Sequence, residues 1–375
     1  MLKVAENNAA STPLAPPLKA DGTPVRVLYA LDQFPQLSES YIDAEINRMR
    51  DWGFHVEVWS SKDPKSETDE CDVVVHRGTL EAAITSVKPD IVHTHWTKSA
   101  IKYRDGARAM GKPMTARGHW HFVPDQLVKL ERDATIVRLF MFPHLAKRYG
   151  SIAAKIRPMH ACFHAEWLAP TVSKNRRMIV RTAACKKSKD LDGFIRMASR
   201  LPGYRAVLIL CSLGPNEHYR ELERLNAELG SPVEMVRDIP HRAVANYLAE
   251  AGIYLHTYNP DVSFGMPVSV VEAMAAGCTV FARDVDGARA YLGDAGEVYA
   301  DEDEAVRLVK ATEEWSDAQW ADAAQRSVAR AWEAFDDHEV LLPLRQSWID
   351  IASGERAGNG GSLLDRMKRW IGLAA

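Results

Sequence analysis

Phe264-Gly-Met-Pro-Val-Ser-Val-Val-Glu-Ala-Met-Ala-Ala-Gly-Cys-Thr-Val-Phe281 is the most informative stretch of the chain. Gly265 and Pro267 mark a loop, and a helix starts at about Val268. Free backbone N–H groups and the positive end of a helix that begins this way suit a phosphate or sugar hydroxyls, so Gly265, Met266, Pro267 and Val268 are candidate binding residues. Glu272 lies one turn inside and can direct a carboxylate at the vicinal hydroxyls of a ribose. Ala273, Ala275, Ala276 and Gly277 keep the helix thin enough to pack closely on a sheet. The same residues also fit a plain packing helix with a solvated Glu272. The segment alone leaves both readings open.

Working outward, short apolar runs bounded by turn formers alternate with helical stripes. Val25–Leu31, Val56–Trp59, Asp90–His93 and Pro113–Ala116 read as strands, with helices over 38–52, 79–87 and 98–111 between them. Ile42, Ile46 and Met49 form the stripe of the first helix, and Ser40 and Asp43 have capping-box spacing. The rhythm resumes with strands Met178–Ala183, Arg205–Leu210, Val233–Val236 and Ile253–His256, and helices over 189–201, 216–229 and 241–251. Such alternation means parallel sheets with helices on their faces. The expected fold is α/β, two doubly wound Rossmann-like domains side by side, with ligands in the cleft beyond the carboxyl ends of the strands. The hinge falls in 165–175. The divisions are a disordered leader over 1–24, a first domain over 25–170, a second over 171–337, a helix over 338–353 that crosses back to the first domain, and a tail over 354–375.

At ~150 residues per domain, 375 residues hold about two domains. Lys plus Arg number 47 against 50 Asp plus Glu, a net charge of −3, which excludes a protein devoted to coating nucleic acid. No apolar run reaches the roughly 18 residues that cross a bilayer. The five cysteines are scattered without a CxxC pair and read as reduced thiols, and no secretion signal is visible, so the expected location is cytoplasmic. There is no GxGxxG after a strand and no GxxxxGK[ST], which removes a nicotinamide dehydrogenase and a P-loop enzyme.

Three polar groups stand out. Lys186-Lys187-Ser188-Lys189 follows the first strand of the second block, where cations can neutralise a diphosphate leaving group, or where they form an ordinary solvated run. A helix start disfavours cations, which favours the functional reading. His93-Thr-His95 and Arg117-Gly-His119-Trp-His121 put alternate histidines on one strand face, without a completing carboxylate or cysteine, so no metal is expected. Ser38 and Ser40 follow the first strand and can meet a diphosphate from the opposite wall or cap a helix.

The 264–281 segment resembles the donor-site signature of retaining glycosyltransferases of the GT-B fold, the large family 4, whose pattern is E-G-x-P-x-x-x-x-E-A-M-A-x-G-x-P-V. Asp286-Gly-Ala288 stands where that family places a Gly-Gly turn. Phe34-Pro-Gln-Leu-Ser-Glu-Ser-Tyr-Ile42 resembles the F-P-x-x-S-E-T-F-I segment of its exopolysaccharide and colanic-acid-type branch, and together the matches span roughly residues 25–340. The resemblance implies transfer of a sugar, with retention, from a nucleotide diphosphate donor to a glycan or lipid-linked acceptor. Lys189, with Lys186, would stabilise the departing diphosphate, Glu272 would hold the ribose, and His119 would approach the sugar. No cofactor is implied beyond the nucleotide sugar itself. The chain departs from the pattern in three places. Ala184 stands where the family has Arg, Phe264 where it has the first of paired glutamates, and Arg117 at its His position, with His119 the nearest imidazole. Asp261 and Ser263 are close enough to serve for the missing glutamate. The Ala184 and Phe264 departures motivate one alternative, a weakened relative that binds nucleotide sugar or a partner transferase without turnover; a nucleotide-sugar epimerase on the same fold is the other.

Over 363–373, Leu363, Met367, Trp370 and Ile371 share a helical face flanked by Arg366, Lys368 and Arg369. A tethered basic amphipathic helix suits an anionic membrane surface, and equally a docking face on its own domain or a partner. The membrane reading makes the protein peripheral on the inner face of the cell membrane.

Overall fold

The structure, a computed structural model, describes residues 14–64, 72–119, 124–149, 155–163, 168, 174–212, 214, 216–261, 265 and 267–354. The first sheet and its helices are built from β1 (Arg26–Gln33), α1 (Ser40–Asp51), β2 (His55–Lys62), β3 (Val75–His76), α2 (Leu80–Val87), β4 (Ile91–His95), α3 (Thr97–Ala109), β5 (Met114–Arg117), α4 (Pro124–Arg132), β6 (Ile136–Met141), α5 (Pro143–Tyr149) and β7 (Ile156–Pro158). Among the described residues the strands run in the order β3-β2-β1-β4-β5-β6-β7, every pairing parallel. Strands buried on both faces read as near-continuous apolar runs. In β1, Val27, Tyr29 and Leu31 enter one core cluster, and Leu28 and Ala30 enter the other.

The second sheet repeats the plan with β8 (Asn175–Ala184), α6 (Leu191–Ser199), β9 (Arg205–Cys211), α7 (Glu217–Glu228), β10 (Val233–Arg237), α8 (His241–Glu250), β11 (Ala251–His256), α9 (Val268–Ala275), β12 (Thr279–Arg283), α10 (Ala288–Leu292) and β13 (Gly296–Tyr299). Helices α11 (Glu302–Ala311), α12 (Asp317–Phe335) and α13 (Asp337–Ala352) follow. The described strand order is β10-β9-β8-β11-β12-β13, again parallel. In both sheets the order of strand addition therefore reverses between the first and fourth strands, at β1/β4 and at β8/β11. Gly252 lets β11 approach β8, since a Cβ there would lie 2.8 Å from the Arg176 Cα.

Helix α13 leaves the second domain and packs on the first. Val340, Leu341, Leu344 and Trp348 join the cluster of Val27, Tyr29 and Phe54, and Arg48 on α1 pairs with Asp337 at 2.9 Å. The domains also touch where Gly287, at φ 92°, faces the His144 ring of α5, 3.4 Å from where a Cβ would stand.

Three local expectations differ from the structure. Residues 14–24, assigned by composition to a leader without structure, are held in place: Leu18 bridges Pro24, and the Arg345 guanidinium donates to the Ala15 carbonyl. Ser40 and Asp43 form no capping box. A 3-10 turn, Leu37–Glu39, runs straight into α1, and Glu39 is the N-cap without a side-chain bond. Lys189 ends a 3-10 turn instead of opening the helix. Asp190 follows in the left-handed region (φ 48°), and α6 begins at Leu191. The leader over 1–13, most of the 165–175 hinge and the tail over 355–375 lie outside the described residues.

Candidate functional site

The two switch points face each other across a cleft of about 280 Å³. Its first-domain wall carries Ser38, Glu39, Tyr41, Trp96 and His119, and its second-domain wall carries Ala184, Lys186, Lys189, Asp238, His241, Gly265, Pro267, Val268, Ser269 and Glu272. Ser38, His119, Lys186, Lys189, Gly265, Pro267, Val268 and Glu272 therefore line one cavity, whereas Asp261 does not. Met266, Ser263 and Phe264 lie outside the described residues, as do Trp120 and His121. A larger depression of about 460 Å³ lies elsewhere on the second domain. Its charged groups are largely satisfied by each other, as in Lys187–Glu221 at 3.2 Å, and by Arg196, which lies 3.1 Å from Asp192 and 2.6 Å from Glu302. We place the candidate site in the interdomain cleft, where both strand switch points converge.

Positive charge comes from the turn after β8. Lys186 is exposed and Lys189 half-buried. The Lys189 Nζ donates to the Tyr258 hydroxyl at 3.2 Å and sits 4.4 Å from that ring's centroid. Burial, and then the Arg181 and Lys186 charges, push its pKa down to about 7. Arg181 itself is almost fully buried at the floor of the cleft, where Tyr254, Thr257 and the Thr182 carbonyl hold its guanidinium.

Helix α9 begins at Val268, directly after Pro267, and points its first turn at the cleft. Glu272, almost fully buried, lies 2.7 Å from the His241 Nε2. Of the two readings of this segment, the solvated glutamate is therefore removed. His241 opens α8 just after Asp238, whose carboxylate accepts from the Ser212 amide at 2.8 Å and its hydroxyl at 2.7 Å. Neither His241 nor Asp238 was singled out from sequence, although both lie at the strand-to-helix junction where ligands collect in such sheets.

The opposite wall holds a polar cluster buried beneath it. Glu45 on α1 is wholly buried, and Arg117, also buried, binds its Oε2. Its Oε1 accepts from the Tyr29 hydroxyl at 2.9 Å and faces the His95 Nε2 at 3.1 Å. The His95 Nδ1 lies 2.7 Å from the His119 Nε2. Burial opposes the Glu45 charge, yet His95 and Arg117 beside it hold the carboxyl well below its usual range. Burial drives His95 down to about 4, and His119 well below an ordinary imidazole with the help of His95 and Arg117. Glu45, His93 and His95 bring three donor atoms within 4.8 Å of one another, which completes the carboxylate that the sequence reading of the HxH pairs lacked. The Arg117 guanidinium on the same carboxylate already supplies the cation, so the cluster is built as a hydrogen-bond network. Glu45 was not singled out from sequence, although it falls on the stripe of Ile42, Ile46 and Met49, where an acid has to be paired. Glu39, within the quoted Phe34–Ile42 segment, presents a carboxyl that burial raises to about 8.

Comparison with known proteins follows this geometry. Residues 166–332 match the family glycosyl transferases group 1. Over 93 residues the chain is 36% identical to a Xenopus tropicalis GDP-Man:Man(3)GlcNAc(2)-PP-Dol alpha-1,2-mannosyltransferase, a stretch covering 21% of this chain and 18% of that protein. The chain thus spans less than a fifth of the length of this curated relative. Sucrose-phosphate synthase from Thermosynechococcus elongatus superposes with a TM-score of 0.71 at 14% identity, covering 88% of this chain and 100% of that one. Anabaena HepE, solved with UDP and glucose, superposes with a TM-score of 0.70 at 16% identity, covering 86% and 99%. The chain has the GT-B fold of glycosyltransferases, and its second domain matches glycosyl transferases group 1.

Proposed function

We propose that the protein is a glycosyltransferase that moves a sugar from a nucleotide diphosphate donor to a glycan or lipid-linked acceptor, with retention, as its resemblance to family 4 and the colanic-acid-type branch implies. The observation that carries this reading is the convergence of Lys186, Lys189, the α9 N-terminus and Glu272 on one cleft. Lysines and helix N–H groups neutralise charge that grows on a departing diphosphate. Glu272, oriented by His241, binds the ribose hydroxyls, and Ile239 and Val244 line the cleft beside it as an apolar wall for the base. His119 and Ser38 approach from the acceptor side. The positive charge needed at the diphosphate is available from side chains, and the donor is a co-substrate, so no cofactor or metal is invoked.

The name of the Xenopus relative specifies a pyrophosphate-dolichol-linked acceptor and that of HepE's structure a UDP ligand. The first supports a lipid-linked acceptor for this chain. The basic segment over 363–373 agrees with work at an anionic membrane surface from the cytoplasmic side. No described helix is long and apolar enough to cross a membrane.

A thermal-shift panel of UDP, GDP, ADP and their sugars, followed by transfer assays with the stabilising donor, tests the proposal. One base should raise the melting temperature by mass action. No shift with any nucleotide, and no turnover, would refute a donor site. A second reading rests on Ala184, which lines the cleft where the family places Arg. A weakened relative would bind nucleotide without transferring, and an epimerase would convert donor without acceptor. Product analysis separates the three. Glu272→Ala removes a charged hydrogen-bonding group worth about 1.5–3 kcal/mol, so nucleotide binding is expected to weaken roughly 10–100-fold by calorimetry. Unchanged affinity would take Glu272 out of the ribose site.

A further inference from the structure

We infer that Glu45 and His95 are positioning residues that lock His119 in one tautomer, with Nδ1 offered to the cleft as a hydrogen-bond acceptor for a substrate hydroxyl. The identity of that hydroxyl rests on the sugar-transfer reading, whereas the tautomer does not. An ionised carboxylate only accepts hydrogen bonds, and Glu45 is kept ionised by Arg117. His95, 3.1 Å from its Oε1, therefore carries its proton on Nε2 and donates. A neutral imidazole has one N–H, so the His95 Nδ1 accepts, and the donor 2.7 Å away is the His119 Nε2. The same count leaves the His119 Nδ1 bare on the ring that lines the cleft. The rings are held for this exchange: His95 and His119 stack with centroids 4.9 Å apart and an 11° interplanar angle, and Tyr41 packs on His119 at 4.8 Å. Burial beside a fixed guanidinium disfavours an imidazolium at either position, in agreement with the neutral count.

The chemical consequence is selectivity. A bare Nδ1 pairs with an O–H and repels a phosphate or carbonyl oxygen, so this wall orients a sugar hydroxyl while the lysine wall takes the diphosphate. In Glu45→Gln the side-chain amide can donate to His95, reversing both rings and leaving an N–H on the His119 Nδ1.

The test is long-range ¹H–¹⁵N spectroscopy of the full chain labelled with ¹⁵N-histidine, the two rings being assigned by their loss in His95→Gln and His119→Gln. Wild type is expected to show both rings protonated on Nε2 near neutral pH. Glu45→Gln is expected to move the His119 proton to Nδ1 and to lower kcat roughly 10–100-fold with donor KM within about threefold. Should Glu45→Gln fail to fold, His95→Ala, which removes the acceptor of the His119 Nε2–H, is expected to release the His119 ring into a tautomer mixture. An Nδ1–H on His119 in wild type, or an unchanged His119 spectrum in a folded variant, overturns the inference. The expected tautomers together with no turnover of any nucleotide sugar would uphold it and refute the transfer reading instead.

Discussion

Lys189→Ala is expected to lower the transfer rate by roughly 10²–10³-fold, the usual effect of deleting one preorganised group that stabilises charge developing in the transition state. Lys189 combines features that make its charge effective. It is half-buried, oriented by Tyr258 at 3.2 Å, and faces the cleft opposite the first-domain wall. Lys186 stands close by but is exposed, so solvent screens it. The free protein holds Lys189 at a pKa of about 7 because burial and two neighbouring cations destabilise its charge. A bound diphosphate reverses that balance. The protonated form binds better, so affinity is full below pH 7 and declines as pH rises through 7 toward the raised pKa of the complex. A nucleotide sugar is the ligand of choice, since it lacks the terminal phosphate ionisation near 6. Calorimetry in buffers of differing ionisation enthalpy should show proton uptake on binding at pH 7–8. The alanine variant should lose most of that uptake. Glu39, raised to about 8, reinforces the decline at higher pH by ionising beside the anionic ligand. A variant within threefold of wild type would place the diphosphate away from Lys189.

The strand–helix alternation was legible because each central strand is buried on both faces and so reads as an apolar run. The quoted second-domain strands appear in the structure with ends shifted by a few residues. The later part of the first domain was harder. Arg138 interrupts the run of β6, and β7 is a three-residue edge strand with Arg157 and Pro158. The cleft residues that announce themselves do so by helix-start chemistry or local charge, as Lys189, Glu272 and Gly265 do. Glu45, His95 and Arg117 act through contacts between α1, β4 and β5, so their meeting depends on strand order β1-β4-β5, which local patterning does not encode. The capping-box expectation at Ser40 failed for a related reason. The preceding 3-10 turn, whose residues line the cleft, already directs the chain into α1.

Trp348→Ala should cost about 3–5 kcal/mol, measured as a shift of the first-domain transition in urea. Trp348 is fully buried, with ring centroids 5.3 Å from His93, 5.5 Å from Phe54 and 5.9 Å from Tyr29. Its Nε1 donates to the Thr115 Oγ1 at 3.1 Å, the same hydroxyl that lies 2.7 Å from the His93 Nδ1. Trp348→Phe keeps most of the packing and removes the N–H, so about 1 kcal/mol is expected for it. The contrast between the two separates cavity formation from hydrogen bonding. An alanine variant that melts with wild type would mean that α13 does not anchor the first domain. The effect should also reach the site. Tyr29, which touches Trp348, donates to the Glu45 Oε1, and His93 lies 5.3 Å in ring centroids from His95. A folded Trp348 variant is therefore expected to lose kcat beyond what its residual stability explains. The helix that follows the second domain in sequence is packed behind the first-domain histidines, so its docking supports the arrangement of that wall.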